Sequence, residues 1–235
     1  MTKPRRNRDL PFELVIFDCD GVLVDSEMIS CRAHAEALTR YGYPITPDRV
    51  LQRFLGVSDR EARLIVEAEL GRRLPDGFEA EINQETLRFY AGDLKAIAHV
   101  GDAIDTIDLP KCVASSGTPD KIHRGLTCAG LYERLAPHIF SALQVKRGKP
   151  APDLFLFAAG QMKARPERCI VVEDSVPGIT GARAAGMKVL GFHGGSHCAM
   201  EHAARLKAAG AHHTFDDMRQ LPALIERMGT ESVAD

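Results

Sequence analysis

The pattern that most constrains this chain is an alternation. Six short apolar runs recur along it: Glu13–Phe17, Lys111–Ala114, Ile139–Ser141, Cys169–Val172, Lys188–Phe192 and Ala211–Phe215. Segments with helical periodicity, such as Pro119–Ala129, Asp153–Met162 and Gly178–Ala185, lie between them. Leu14-Val15-Ile16-Phe17 is apolar at every position, as expected of a strand buried on both faces. Strand alternating with helix predicts an α/β fold: a doubly wound, Rossmann-like parallel sheet covered on both sides. One interval breaks the rule. From Met28 to about Ala98 no convincing strand occurs, and Ala33–Tyr41, Pro47–Phe54, Ser58–Leu70 and Gly77–Leu94 read as helices. Thr46-Pro47 is an N-cap followed by a first-turn proline, and Ser58-Asp59-Arg60-Glu61 has the capping-box spacing. A helical block between the first and second strands predicts two domains. Residues 1–26 and 99–235 form the core, and residues 27–98 form an inserted α-helical cap.

Composition removes several function classes. With 235 residues and 45% apolar content, the chain can bury a sizeable core. A formal net charge of −2 leaves no basic footprint for nucleic acid. No apolar stretch reaches the length of a transmembrane helix. The basic stretch Thr2–Arg8 has no apolar region behind it, so it does not read as a signal peptide. The six cysteines are scattered, with no Cys-x-x-Cys pair, which argues against structural zinc and predicts a reducing, cytoplasmic setting. The nine histidines include His193, His197, His202, His212 and His213, but none sits in a Glu-x-x-His arrangement, so no histidine metal site is expected.

Four chemistry-bearing pieces stand at or just beyond strand ends. Asp18 and Asp20 follow the first run, and Ser115 follows the second. Lys149 lies in Gly148-Lys149-Pro150-Ala151-Pro152-Asp153, and Glu173-Asp174 follows Val172. A parallel sheet delivers the C-terminal ends of its strands to one crevice, where ligands bind. Carboxylates suit that edge; in a core, an unpaired charge is too costly to keep. Cys19, between the two aspartates, should point to the opposite face and pack as a small hydrophobe.

The run Asp18-Cys19-Asp20-Gly21-Val22-Leu23-Val24-Asp25-Ser26-Glu27 resembles the first motif of the haloacid dehalogenase superfamily. With Ser115, Lys149 and Glu173-Asp174 in order behind it, the resemblance extends from about Leu14 to Gly194. It is narrowest to the sugar-phosphate phosphatases and β-phosphoglucomutases, and most of all to bacterial 6-phosphogluconate-type phosphatases. The resemblance implies that Asp18 is a nucleophile forming an aspartyl-phosphate, which splits a hard hydrolysis into two easier steps. It makes Asp20 the general acid and base. Magnesium would be held by Asp18, the Asp20 backbone carbonyl and Asp174, with Glu173 as a further ligand or as a group that orients one. Ser115 would offer its hydroxyl to a phosphoryl oxygen, with the backbone N–H groups of Ser116 and Gly117 beside it. Lys149 would neutralise charge shared by the phosphoryl group and the nucleophile, on a loop stiffened by Pro150 and Pro152. Thr118 caps the following helix. The small residues Gly178 and Gly181 imply close helix–sheet packing.

Substrate choice falls to the cap. The loop Phe54–Arg60 resembles a substrate-contacting loop of the family, which makes Gly56, Arg60, Arg53 and, from the core, Lys121 candidate contacts. The resembling mutases carry a catalytic histidine ten residues beyond the second aspartate. Ser30 holds that place here, with His34 one turn on, and Asp59 stands where their arginine is expected. The expected activity is therefore magnesium-dependent hydrolysis of a small sugar phosphate. A phosphosugar mutase is the alternative, and a non-catalytic binder of phosphorylated ligands a remote one. The expected partner is the small phosphomonoester alone, with no nucleic acid, no membrane and a monomeric state.

Overall fold

The structure is a computed structural model and describes residues 11–54, 57 and 59–231, with the side chains of Asp59, Arg60 and Glu231 left aside. It forms a six-stranded parallel sheet. In chain order the strands are β1 (Leu14–Phe17), β2 (Lys111–Ser115), β3 (Ile139–Ser141), β4 (Cys169–Glu173), β5 (Lys188–Phe192) and β6 (His213–Phe215). Across the sheet the order is β3-β2-β1-β4-β5-β6, so β1 lies at the reversal of strand order, where doubly wound sheets open a crevice. The Rossmann-like fold expected from the alternation is thus observed.

Strand alternation divides the core between the two faces. Val15, Phe17, Val113, Ile170, Val172, Leu190 and Phe192 point into one cluster. Leu14, Ile16, Cys112, Ala114, Val171 and Val189 point into the other. Every residue of β1 is fully buried, so none can be polar without a partner. Register is fixed by pairing of Ile16 with Val171 on one side and Cys112 on the other. Cys19 packs in the first cluster, away from the aspartates, as strand alternation requires.

Four helices follow β1: α1 (Glu27–Arg40), α2 (Pro47–Phe54), α3 (Asp59–Leu70) and α4 (Phe78–Asp93). Ala33, Ala37, Leu38, Val66, Leu74, Phe78 and Ile82 form a separate apolar cluster among them. Helix α1 starts six residues earlier than its periodicity suggests, with Ser26 at its N-cap. The Ser26 side chain does not cap the helix; its hydroxyl donates to Asp20 Oδ1 at 2.6 Å. The two connections to this block lie side by side. Asp25 N donates to the Lys95 carbonyl and Ile97 N to the Leu23 carbonyl, each at 3.0 Å. The far end of α4 is not free of the sheet, because Tyr90 and Leu94 pack in the same cluster as Phe17 and Leu126.

The remaining helices are α5 (Val100–Thr106), α6 (Pro119–Cys128), α7 (Tyr132–Leu135), α8 (Asp153–Gln161), α9 (Val176–Ala184), α10 (His202–Ala208) and α11 (Leu221–Glu231). Thr118 caps α6 by accepting from Lys121 N at 3.3 Å, as expected. Helix α9 begins two residues before Gly178, because Ser175 caps it by accepting from Gly178 N at 3.1 Å. Strand β6 begins at His213, two residues later than the apolar run. Sequence periodicity had not marked α5, α7, α10 or α11. Three of these have seven residues or fewer and depend on tertiary packing more than on propensity.

Ile16 has no exposed surface and sits at the centre of the sheet. Ile16→Ala should lower unfolding free energy by about 2–5 kcal/mol, the cost of a buried cavity. Urea denaturation of both proteins measures this.

Candidate active site

The parallel register brings the C-terminal ends of β1, β2 and β4 to one edge. Asp18 leaves β1 with its N–H on the Val172 carbonyl at 3.0 Å. Ser115 ends β2, Glu173 ends β4, and Asp174 follows. Lys149 enters from the loop between β3 and α8. Its Nζ donates to Asp18 Oδ1 and to Glu173 Oε1, both at 2.6 Å, and its side chain is only 5% exposed. The second oxygen of Glu173 accepts from Ser175 N at 2.7 Å and from Ser175 Oγ at 2.9 Å. One Glu173 oxygen thus meets Lys149 and the other the start of α9.

Gly178 brings α9 close onto the end of β4, as expected. A Cβ there would stand 1.7 Å from Glu173 Oε1, so Gly178 makes room for a buried carboxylate. A Cβ at Gly181 would lie 3.0 Å from the Ala151 carbonyl and 3.2 Å from that of Pro150. Gly178 thus packs α9 closely on the end of β4, and Gly181 packs it on the lysine loop.

Charge is unbalanced at this edge. Asp18, Glu173 and Asp174 are all buried, with carboxylate oxygens within 4.8 Å of one another, and Lys149 is the ammonium among them. Burial pushes the Asp18 carboxyl well above its usual range; Lys149 opposes this, while Glu173 and Asp174 add to it. Burial likewise raises Asp174, reinforced by Glu173 and Glu27. Burial disfavours the Lys149 charge, yet Asp18 and Glu173 outweigh it and hold the ammonium above the lysine range. A crowded, all-oxygen donor set carrying excess negative charge fits a hard divalent cation.

Asp20 sits in different surroundings. Its Oδ1 accepts from Ser26 Oγ at 2.6 Å and from Tyr90 OH at 3.3 Å, and lies 3.3 Å from Lys121 Nζ. Burial alone would raise this carboxyl, but Lys121 and the hydrogen bonds from Ser26, Lys121 and Tyr90 bring it below its usual value. Two carboxylates two residues apart are thus pushed in opposite directions.

A cavity of about 500 Å³ opens over these groups. Asp18, Asp20, Ser115, Ser116, Gly117, Lys121, Lys149 and Asp174 line its floor, and residues of the helical block close its other side, among them Glu27, His34, Asn83 and Thr86. Ser115 Oγ accepts from Gly117 N at 3.0 Å, and the Gly117 carbonyl accepts from Ser141 Oγ at 2.6 Å, tying the turn to β3. Residues 12–186 match the model of the haloacid dehalogenase-like hydrolases. The chain belongs to this family.

Like this hydrolase in sequence is the 6-phosphogluconate phosphatase of Escherichia coli (strain K12), 35% identical over 224 residues that cover 94% of this chain and 98% of that one. A conserved haloacid dehalogenase-like protein from Agrobacterium tumefaciens shares the fold, with TM-score 0.83 and 42% identity over 92% of this chain and 99% of that one. A family hydrolase from Deinococcus radiodurans, solved with bound phosphate and sodium, superimposes with TM-score 0.78 and 30% identity over 94% and 98% of the two chains.

The hydrolase does not bring every expected residue to its cavity. Arg53 pairs with Glu69 on the surface of the helical block and does not line the cavity. Lys121 lines it but is turned to Asp20. Gly56 lies outside the described residues, as does the Arg60 side chain, although Arg60 falls in the first turn of α3. Sequence reasoning missed Ser26, Tyr90, His197 and His202. Ser26 was legible as part of the first motif. Tyr90 is one tyrosine in an amphipathic helix, indistinguishable by pattern from a packing residue. The histidines carry no mark in the sequence beyond their spacing from one another, and the structure sets His197 and His202 against Asp174.

Removing the central ammonium gives a test of this electrostatic arrangement. Lys149→Met leaves buried carboxylates without their cation and should cost the metal-free protein about 3–5 kcal/mol at neutral pH. Loss of the ammonium raises the Asp18 carboxyl further. A carboxyl whose pKa is raised by folding holds its proton more tightly in the folded chain. The cost is therefore present above that pKa and fades as pH falls through it. Urea denaturation of both proteins across a pH series should show the gap narrowing toward acid.

Proposed function

We propose that the protein is a phosphatase for a small sugar phosphate, acting through an aspartyl-phosphate on Asp18. The observation that carries this reading is the contrast between Asp18 and Asp20. Asp18 faces Lys149 in a crowded anionic cluster, while Asp20, on the same turn, is held by Lys121, Ser26 and Tyr90. In this reading one carboxylate attacks and the other manages a proton. The names of similar proteins, 6-phosphogluconate phosphatase and phosphorylated carbohydrates phosphatase, support the substrate class.

In the first step an Asp18 oxygen attacks phosphorus and the bond from phosphorus to the sugar oxygen breaks. Asp20 gives that oxygen a proton. In the second step Asp20 takes a proton from water, whose oxygen attacks the aspartyl-phosphate; Asp18 is released as carboxylate and phosphate departs. The low proton affinity of Asp20 belongs to the substrate-free site. A phosphoryl dianion draws the Lys121 ammonium and adds negative charge beside Asp20, and both effects raise the carboxyl's affinity for a proton. Ser115, with the N–H groups of Ser116 and Gly117, would bind phosphoryl oxygens, and Lys149 would offset the charge that builds between them and Asp18.

Magnesium, held by Asp18, Asp174 and the Asp20 carbonyl, would supply charge neutralisation and in-line orientation of the phosphoryl group. The helical block 27–98 serves as a cap whose far side selects the sugar and whose paired connections at residues 22–25 and 95–97 form the hinge. A phosphosugar mutase would use the same Asp18. His34 lines the cavity, but Ser30 holds the place of the mutase histidine.

A phosphate-release screen across sugar phosphates, with and without magnesium and with and without a bisphosphate activator, separates these readings. Turnover without activator is expected, and strict dependence on it would favour the mutase. Asp18→Asn should abolish turnover and the acid-stable mass increment on the Asp18 peptide. Asp20→Asn should still bind metal and substrate but lose ~10² to 10⁴ in rate. Full activity of Asp18→Asn would end the mechanism.

A further inference from the structure

The segment Gly194-Gly195-Ser196-His197-Cys198, together with His202, takes no part in the reaction above, yet it closes on Asp174. His197 Nε2 lies 3.0 Å from Asp174 Oδ2. His202 Nε2 lies 2.5 Å from the main-chain oxygen of the same residue. The two rings meet edge to face with centroids 5.6 Å apart, and both residues are only 5% exposed. One imidazole therefore holds the side chain of Asp174 and the other its backbone.

The backbone around this contact is shaped to admit the His197 ring. Gly21 has φ +76°, and a Cβ there would stand 1.9 Å from Asp174 Oδ2 and 2.9 Å from His197 Cε1. At Gly195 a Cβ would lie 2.8 Å from His197 Cε1 and 2.9 Å from Nδ1. Ser196 anchors the segment to the cap connection, donating from N at 3.0 Å and from Oγ at 2.8 Å to Asp25 Oδ1.

We propose that His197 is a positioning residue for Asp174: its Nε2–H fixes one carboxylate oxygen, so that the carboxylate meets the cation in a set orientation, while His202 Nε2–H restrains the main chain. The hydrogen-bonding pattern defines the tautomer. His197 Nδ1 is buried with no partner, so a proton there would be a buried donor without an acceptor; the proton belongs on Nε2, facing Asp174. Ligand atoms of His197, Cys198 and His202 lie within 4.8 Å of one another, but His197 Nε2 is engaged with Asp174 Oδ2. His202 Nε2 is already committed to the Asp174 carbonyl. The segment thus works on the hard-cation site through hydrogen bonds.

The inference rests on Asp174 being a ligand in the proposed phosphatase, and the test separates the two. Binding of Mn²⁺ as a spectroscopic stand-in for magnesium is titrated by the electron-paramagnetic signal of the free ion. The proteins compared are the wild type, His197→Ala, His197→Phe and His197→Gln. Alanine removes the donor, phenylalanine removes it while filling the space, and glutamine keeps an N–H donor. Both donor-less variants should bind Mn²⁺ about 10- to 100-fold more weakly, as loss of an outer-shell partner does elsewhere. Glutamine should recover part of that loss. At saturating magnesium, kcat should fall less than metal affinity does. Should His197→Ala not fold, His197→Phe carries the comparison. Wild-type affinity in the donor-less variants would overturn the proposal. So would equal weakening of all three variants in step with their melting temperatures, since that is the signature of a merely structural ring. Absence of Mn²⁺ binding by the wild type would overturn the metal reading itself and the proposal with it.

Discussion

Two hydrogen bonds of 2.6 Å from the Lys149 ammonium, one to Asp18 and one to Glu173, hold this site together. They join the end of β1, the end of β4 and the loop after β3, three pieces of chain that no local interaction would bring together. Each carboxylate is buried, and a buried charge without a partner is costly enough to reshape or unfold its surroundings. The ammonium therefore permits the carboxylates, and the carboxylates in turn keep the ammonium charged. Much around them follows from this tie. Ser175 satisfies the far oxygen of Glu173 and caps α9, and Gly178 must lack a side chain because the carboxylate occupies its space.

A second consequence is the separation of two neighbouring aspartates into different surroundings. Asp18 and Asp20 are two residues apart on one strand extension, and their side chains share a face. What separates them is the company each keeps. Asp18 shares its cluster with two further carboxylates, and burial raises it. Asp20 is surrounded by donors, from Ser26 in the chain connection, Lys121 in α6 and Tyr90 in α4. The Tyr90 contact ties the helical block to Asp20. Any movement of α4 relative to the sheet would change the hydrogen bonds at Asp20. The apolar seating of Tyr90 and Leu94 against the sheet cluster sets a limit on such movement near the hinge.

The sequence by itself determined the fold class and the order of the elements, because a parallel sheet buried on both faces needs continuous apolar runs and leaves no other pattern. It also placed Asp18, Asp20, Ser115, Lys149 and Glu173-Asp174 at one edge, since the C-terminal ends of parallel strands share an edge whatever the intervening helices do. Thr118 was legible for the same reason: caps and strand ends are set by interactions over a few residues. The tertiary structure alone decided what surrounds each of these groups. That Lys121 faces Asp20, that Arg53 turns away to Glu69, and that Tyr90, His197 and His202 reach the aspartates depend on contacts across wide sequence separations. A tyrosine or histidine in a helix or loop carries no periodic mark of its partner. Its hydrogen bond exists only once packing has brought the two together, and the packing is the sum of many apolar contacts that no single residue records.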